Sequence, residues 1–300
     1  MTKCAVCRTR FAPGDYVSLG AHFLAASAAS EPGHVRWLNQ SIGRERIAPI
    51  ELVHRLEEVY RLPPEGLAAW IRARFIQRFF GPRPHPFVVA LQHPTRATLL
   101  GYAIEHRHFL RQWVRCSALI LARSESDDVV AYEIDNIRVE FGGDGDAHPS
   151  HFELLLRMGE SCGVARGDLE AHTPLPTTTA ALAEWGAICR NEHWVSALAA
   201  MHALELIAHR DLTGDGATVH YFDPAILTDG SIPEGARAFL REGYEADVVH
   251  AETALRLVER FAAEPGLIED VQGTFLRSLD LFDDYLGARL ERAEEYGPTG

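Results

Sequence analysis

The chain has 300 residues, 47% hydrophobic and 24% charged, with a formal net charge of −13. That length holds one large domain or two small ones, with ample apolar mass for a core. The acidic balance argues against a general binder of nucleic acid or anionic membranes, and no apolar run nears the ~20 residues that span a bilayer. The opening MTKCAVCRTRFAPGDYVSLG lacks the apolar stretch of a signal peptide, so the expected location is cytoplasmic. Five scattered cysteines (Cys4, Cys7, Cys116, Cys162 and Cys189) fit reduced thiols in that compartment.

Residues 1–45 are rich in Gly, Ala and Ser and weakly patterned, which predicts a poorly ordered lead-in with at most one short helix. Cys4-x-x-Cys7 looks like half a zinc knuckle. No second CxxC or HxxxH partner follows at zinc-finger spacing, so an unstructured terminus is preferred over a metal or redox pair. Helices are expected over 48–60 and 64–80, each opened by a well-placed Pro. Glu51-x-x-His54 on the first of these is read as a solvated face, because no second helical ExxH follows. GPRPHP at 81–86 breaks the pattern.

From about Pro94 the chain reads as long helices. The first, 95–124, carries Glu105 on its apolar stripe with Tyr102, Phe109 and Cys116. The second, 127–141, places Glu140 two turns after Glu133. GGDGDAHPS is a loop by composition, and a third helix runs from about His151 to a C-capping Gly163. A single long helix is expected over 180–210, with Glu205 on its apolar ladder. Residues 211–235 form a long loop. The next helix shows Phe239, Gly243, Asp247, His250, Ala254, Leu257 and Phe261 at helical spacing, so one apolar face carries a carboxylate and an imidazole one turn apart. An amphipathic helix over 266–296 ends the chain. The fold class expected is all-α, a bundle over 81–300 with a partly helical extension over 1–80.

Unpaired, these acids would be costly to bury. Glu105, Glu140, Glu205 and Asp247 come from four helices, and His151 and His250 join them. Four carboxylates and two imidazoles form the ligand set of di-iron or di-manganese sites in helix bundles.

Residues 136–164, NIRVEFGGDGDAHPSHFELLLRMGESCGV, resemble a signature of the haem-oxygenase-like helical superfamily. That group includes pyrroloquinoline-quinone synthase-like and thiaminase-II-like proteins. The pattern falls on Asn136, Glu140, Gly142, His151, Leu154, Leu155 and Gly163. The di-iron oxidases and oxygenases of this superfamily add a Glu on an earlier helix, a Glu on a later one and a His-x-x-x-Asp-x-x-His run. Glu105, Glu205, Asp247 and His250 match these, while the first His of the run falls on Gly243. The likeness covers about residues 85–265 and implies a haem-oxygenase-like bundle of about seven helices.

It also implies two Fe(II) ions held by Glu105, Glu140, His151, Glu205, Asp247 and His250, with O2 as co-substrate. The implied activity is oxidation of a small amino acid or amine in specialised metabolism: N-oxygenation, C–C cleavage or desaturation. Arg107, Arg111, Arg115 and Arg138 are available as carboxylate partners. With no flavin, nicotinamide or iron–sulfur motif, the electrons come from an external donor or from the substrate. Superfamily members often form homodimers. The rival readings are a metal-free enzyme on the same fold, which needs the acids paired by Arg or Lys, and an inactive binding module.

Overall fold

The computed structural model describes residues 1–43, 46–143, 148–264 and 266–297, apart from the side chains of 246 and 247. Among them the only sheet is a two-stranded hairpin, β1 (Thr2–Lys3) with β2 (Arg10–Phe11), antiparallel with Thr2 opposite Phe11. The other regular elements are helices, as the sequence pattern predicts.

Residues 1–43 correct the expected disordered lead-in. After the hairpin come α1 (Tyr16–Ala28), α2 (Pro32–Trp37) and a π-turn at Leu38–Ile42. The Asp15 carboxylate caps α1 by accepting from Ser18 N, and Pro32 opens α2. Phe23 stacks on Trp37 at 4.5 Å between ring centroids, and both rings are fully buried. Lys3 anchors this unit: its buried Nζ lies 2.6 Å from Glu192 and 3.0 Å from Asp270.

The helices α3 (Pro49–Tyr60), α4 (Leu67–Phe79) and α5 (Pro86–Ala90) lead to α6 (Arg96–Leu121), capped by the Thr95 side chain. Next are α7 (Asp127–Ile137), a π-turn at Arg138–Gly142, α8 (His151–Ser161) and α9 (Arg166–Ala171). The single helix expected over 180–210 is three pieces: α10 (Pro176–Asn191), α11 (Trp194–His202) and a 3₁₀ turn at Ala203–Ala208. The first break falls where Glu192 turns extended and meets Lys3. Two further 3₁₀ turns, Arg210–Thr213 and Pro224–Thr228, precede α12 (Glu234–Phe261) and α13 (Leu267–Glu294).

The core is organised on α6 and α13, with α10 against both and α12 resting on α8 and α11. Gly101 allows α6 and α13 to touch backbone to backbone: a Cβ there would sit 2.2 Å from the Arg289 carbonyl oxygen. No helix among the described residues is long and apolar enough to cross a membrane.

Candidate active site and N-terminal metal cluster

A cavity of about 700 Å³, counting its mouth, opens between α6, α12, α13 and the irregular turns. Its walls are mainly apolar, including Phe109, Leu110, Phe239 and Leu240. Into it project Glu140, His151, Glu205, His106 and Arg289, and Gly243 forms part of the wall. An apolar cavity with a few convergent polar groups is the usual form of a small-molecule site.

The polar groups come from places where the helices depart from α geometry. Glu140 stands on the π-turn after α7. Such turns insert a residue and re-aim side chains, and are frequent at functional sites. His151 is the first residue of α8, whose N-terminus is fixed by the Ser150 hydroxyl accepting from Glu153 N. Glu205 lies on the 3₁₀ turn after α11. In 3₁₀ geometry residues i and i+3 eclipse, which brings Glu205 to His202, with Nδ1 3.2 Å from Oε1.

His202 is fully buried between two acids, its Nε2 lying 3.0 Å from Glu133. Burial opposes its charge, but Glu133 and Glu205 outweigh that and push its pKa up to about 10. His202 is therefore an imidazolium donating to both carboxylates, with the Tyr132 hydroxyl 3.1 Å from Nδ1. On the cavity side, His151 Nδ1 lies 3.1 Å from Glu140 Oε1. Glu140 Oε2 and Glu205 Oε2 are buried without a hydrogen-bond partner. Three carboxylates set against the charges of His202 and of Arg289 in the same cavity still leave a negative excess that a cation would offset. The donors suit a metal with N and O ligands. The ligand atoms of Glu140, His151 and Glu205 do not gather within 4.8 Å of one another.

The structure thus brings together Glu140, His151 and Glu205 from the expected set. Glu105 is corrected. It is fully buried, as its stripe predicts, but it points to α13 and not to the cavity. Its Oε1 accepts from Arg292 Nε at 2.8 Å and its Oε2 from Leu175 N at 3.3 Å. His250 lies outside the cavity lining, with Nε2 3.9 Å from Asp135 and a buried Nδ1 that lacks a hydrogen-bond partner. The side chain of Asp247 lies outside the described residues. Glu51 and His54 are on α3, away from the cavity.

None of the four candidate arginines lines the cavity. Arg107 donates to the His172 carbonyl, Arg111 lies over Phe152, Arg115 is exposed and Arg138 pairs with Asp135. The arginines that matter are on α13 and were missed. A three- and four-residue count from Phe282 through Tyr285 to Arg289 and Arg292 continues the apolar stripe, so their inward aim was readable. Arg292 gives Glu105 the basic partner that the metal-free reading requires of the acids.

Arg292→Ala should destabilise the chain by about 3–5 kcal/mol, because Glu105 would remain buried without its cation. Denaturant unfolding measures this, and an unchanged midpoint would contradict the pairing. Metal content should not change.

A second polar cluster lies in the N-terminal unit. The ligand atoms of Cys4, Cys7, His22 and His34 all lie within 4.8 Å of one another. Cys4 Sγ is 3.5 Å from His34 Nε2, Cys7 Sγ 3.2 Å from His22 Nε2, and the two Nε2 atoms are 3.1 Å apart. Zinc takes Cys at about 2.3 Å and His at about 2.0–2.1 Å in a tetrahedron, whose edges match these separations. Glu31 lies 2.8 Å from His34 Nδ1, which places the proton there and leaves Nε2 for a metal. Val6 N donates to Cys4 Sγ at 3.4 Å, and Arg8 takes the left-handed conformation (φ 63°) that closes the loop. The preference for an unstructured Cys4/Cys7 segment is corrected.

The helix order, the cavity and its acids define a haem-oxygenase-like helical bundle. The chain belongs to the TENA/THI-4/PQQC family, whose profile matches residues 70–293. Residues 1–61 are similar to a C2H2-type zinc finger. The fold is shared with a Shewanella denitrificans OS217 domain of unknown function with a heme oxygenase-like fold. That match has 18% identity and a TM-score of 0.57, and covers 78% of this chain and 93% of that one. A TenA homolog from Pseudomonas syringae pv. tomato DC3000 matches at 14% identity and TM-score 0.55, over 80% and 92% of the two chains. A TenA family transcription regulator from Silicibacter sp. TM1040 gives 16% identity and TM-score 0.55, over 76% and 96%. No curated protein matches the chain.

Proposed function

We propose that the cavity is the active site of a non-haem di-iron enzyme. It would use O2 to oxidise a small amino acid or amine in specialised metabolism, in the cytoplasm, with electrons from an external donor or the substrate. The observation that carries this reading is the pair of unpartnered carboxylate oxygens, Glu140 Oε2 and Glu205 Oε2, buried beside His151 at one cavity. Glu140, His151 and Glu205 line the cavity and are the residues available for one ion, although their ligand atoms do not gather within 4.8 Å of one another. Asp247 and His250, one turn apart on α12, are the residues available for a second, although His250 lies outside the cavity lining. Bound iron would supply the coordination positions and redox capacity for O2 chemistry.

The chain's own groups do the rest. The apolar walls exclude water and hold a hydrocarbon body. Glu133 and His202 orient Glu205. Burial, then the charges of Arg289 and His151, hold the pKa of His106 well below the usual imidazole value, so it is neutral. Its Nδ1 accepts from Tyr285 at 2.7 Å and from Arg289 at 2.9 Å. The proton is therefore on Nε2. In the N-terminal unit the four-ligand cluster is proposed to hold a structural zinc ion.

A metal-free catalyst on the same bundle is the second reading. It is favoured by the Glu105–Arg292 pair and by His202, which offset buried carboxylates without an ion. Anaerobic Fe(II) titration followed by O2 exposure separates the two. The di-iron reading expects two irons per chain and a transient visible absorbance whose decay a matching amino acid accelerates. No iron uptake would reject it in favour of the metal-free one.

A further inference from the structure

Arg289 is a buried charge that no carboxylate answers. It is 1% exposed and lines the cavity. One terminal nitrogen donates to the Tyr221 hydroxyl at 2.8 Å. The other donates to the Tyr285 hydroxyl at 2.8 Å and to His106 Nδ1 at 2.9 Å. Its Cζ lies 4.1 Å from the Tyr102 ring centroid, 4.5 Å from that of Tyr285 and 5.0 Å from that of Phe87. All these partners are neutral. Its Nε is buried without an acceptor. Among the described residues no carboxylate oxygen lies within 4.0 Å of the guanidinium, whereas Arg292, one turn on, holds both Glu105 and Glu295.

Burying an unpaired cation is costly, and aromatic faces and hydroxyls recover only part of it. The unmet partner is an anion. Guanidinium suits a carboxylate above other small anions of amino-acid or acyl chemistry, because its planar N–H fork matches the two oxygens. The apolar walls ask for a hydrocarbon body behind the anion.

We propose that Arg289 anchors the carboxylate of the substrate, with its apolar body lying in the cavity. This rests on the reading of the cavity as an active site and narrows it: a simple amine leaves Arg289 unanswered, so the substrate class is a monocarboxylic acid. An α-amino acid and a fatty-type acid share that chemistry.

The test is isothermal titration of the full-length chain as purified, with no iron added, against two acid–amide pairs: leucine with leucinamide, and hexanoate with hexanamide. At least one acid should bind about 30-fold or more tightly than its amide, the scale of losing one partner of a buried charge pair. Arg289→Gln should erase that preference by weakening the acid alone. Which acid shows it separates the amino-acid from the fatty-acid source. Equal binding of acid and amide in the unaltered chain, binding of none of the four, or a preference that survives Arg289→Gln would overturn the proposal. If Arg289→Gln does not fold, Tyr221→Phe serves instead: it removes a hydroxyl that holds the guanidinium and should reduce the acid preference, and an unchanged preference would count against the anchor. Without iron, acid binding reports on Arg289 and not on coordination to a metal, so this result stands apart from the iron titration.

Discussion

Cys4→Ser should release one zinc ion per chain and unfold the segment around α1 and α2. Cys4 and His34 are almost fully buried, and the ligand atoms of the two cysteines and two histidines all lie within 4.8 Å of one another. In the absence of a metal, burial pushes the Cys4 thiol up to about 12. A bound metal reverses this by stabilising the thiolate. Structural zinc contributes on the order of 10–16 kcal/mol of binding free energy in small modules, far more than the Phe23–Trp37 stack can replace. Zinc content by elemental analysis and limited proteolysis of residues 1–60 measure the loss. Glu31→Gln should keep the fold but weaken zinc roughly 10–100-fold, as expected for a partner that orients a ligating imidazole. The damage should reach the bundle too, because Lys3 is held between Glu192 and Asp270. A Cys4→Ser chain that keeps its zinc and its protease resistance would refute the assignment.

That cluster shows where sequence reading stopped. Cys4-x-x-Cys7 was visible, and the fourteen residues between Cys7 and His22 are an ordinary zinc-finger interval, but eleven separate His22 from His34 where common zinc fingers have about three to five. His22 is on α1 and His34 on α2, so no single helical face displays both. Glu105 failed in a different way. Its stripe correctly marked it as buried, but periodicity gives only the inward direction. It does not say whether the neighbour is a cavity or a cation 187 residues away. Glu140 and Glu205 were legible from their stripes, whereas their final aim depends on a π-turn and a 3₁₀ turn read as ordinary helix. The break before His193 was hidden as well, because it follows from a buried pair between Glu192 and the far N-terminus. The all-helical class survived all of these errors because it rests on many stripes, and each error concerns one side chain or one turn.

Glu205→Ala should remove iron binding at the cavity and, with it, any response to O2. Glu205 is the one cavity acid that also contacts the buried imidazolium, through Oε1, while its Oε2 is left for a ligand. The two readings of the site therefore predict different combinations of results. Both expect lower stability, by up to about 3–5 kcal/mol, because His202 loses one of its two carboxylates. Glu133, still 3.0 Å from its other nitrogen, should keep the chain folded. Only the di-iron reading expects iron uptake to fall by at least one ion per chain. Glu140→Ala sharpens the comparison, because Glu140 contacts His151 and not His202. It should lower iron uptake as much, with a smaller change in the unfolding midpoint. Iron uptake unaltered by both substitutions would leave Glu140 and Glu205 as the acids of a metal-free site, with His202 as their resident cation.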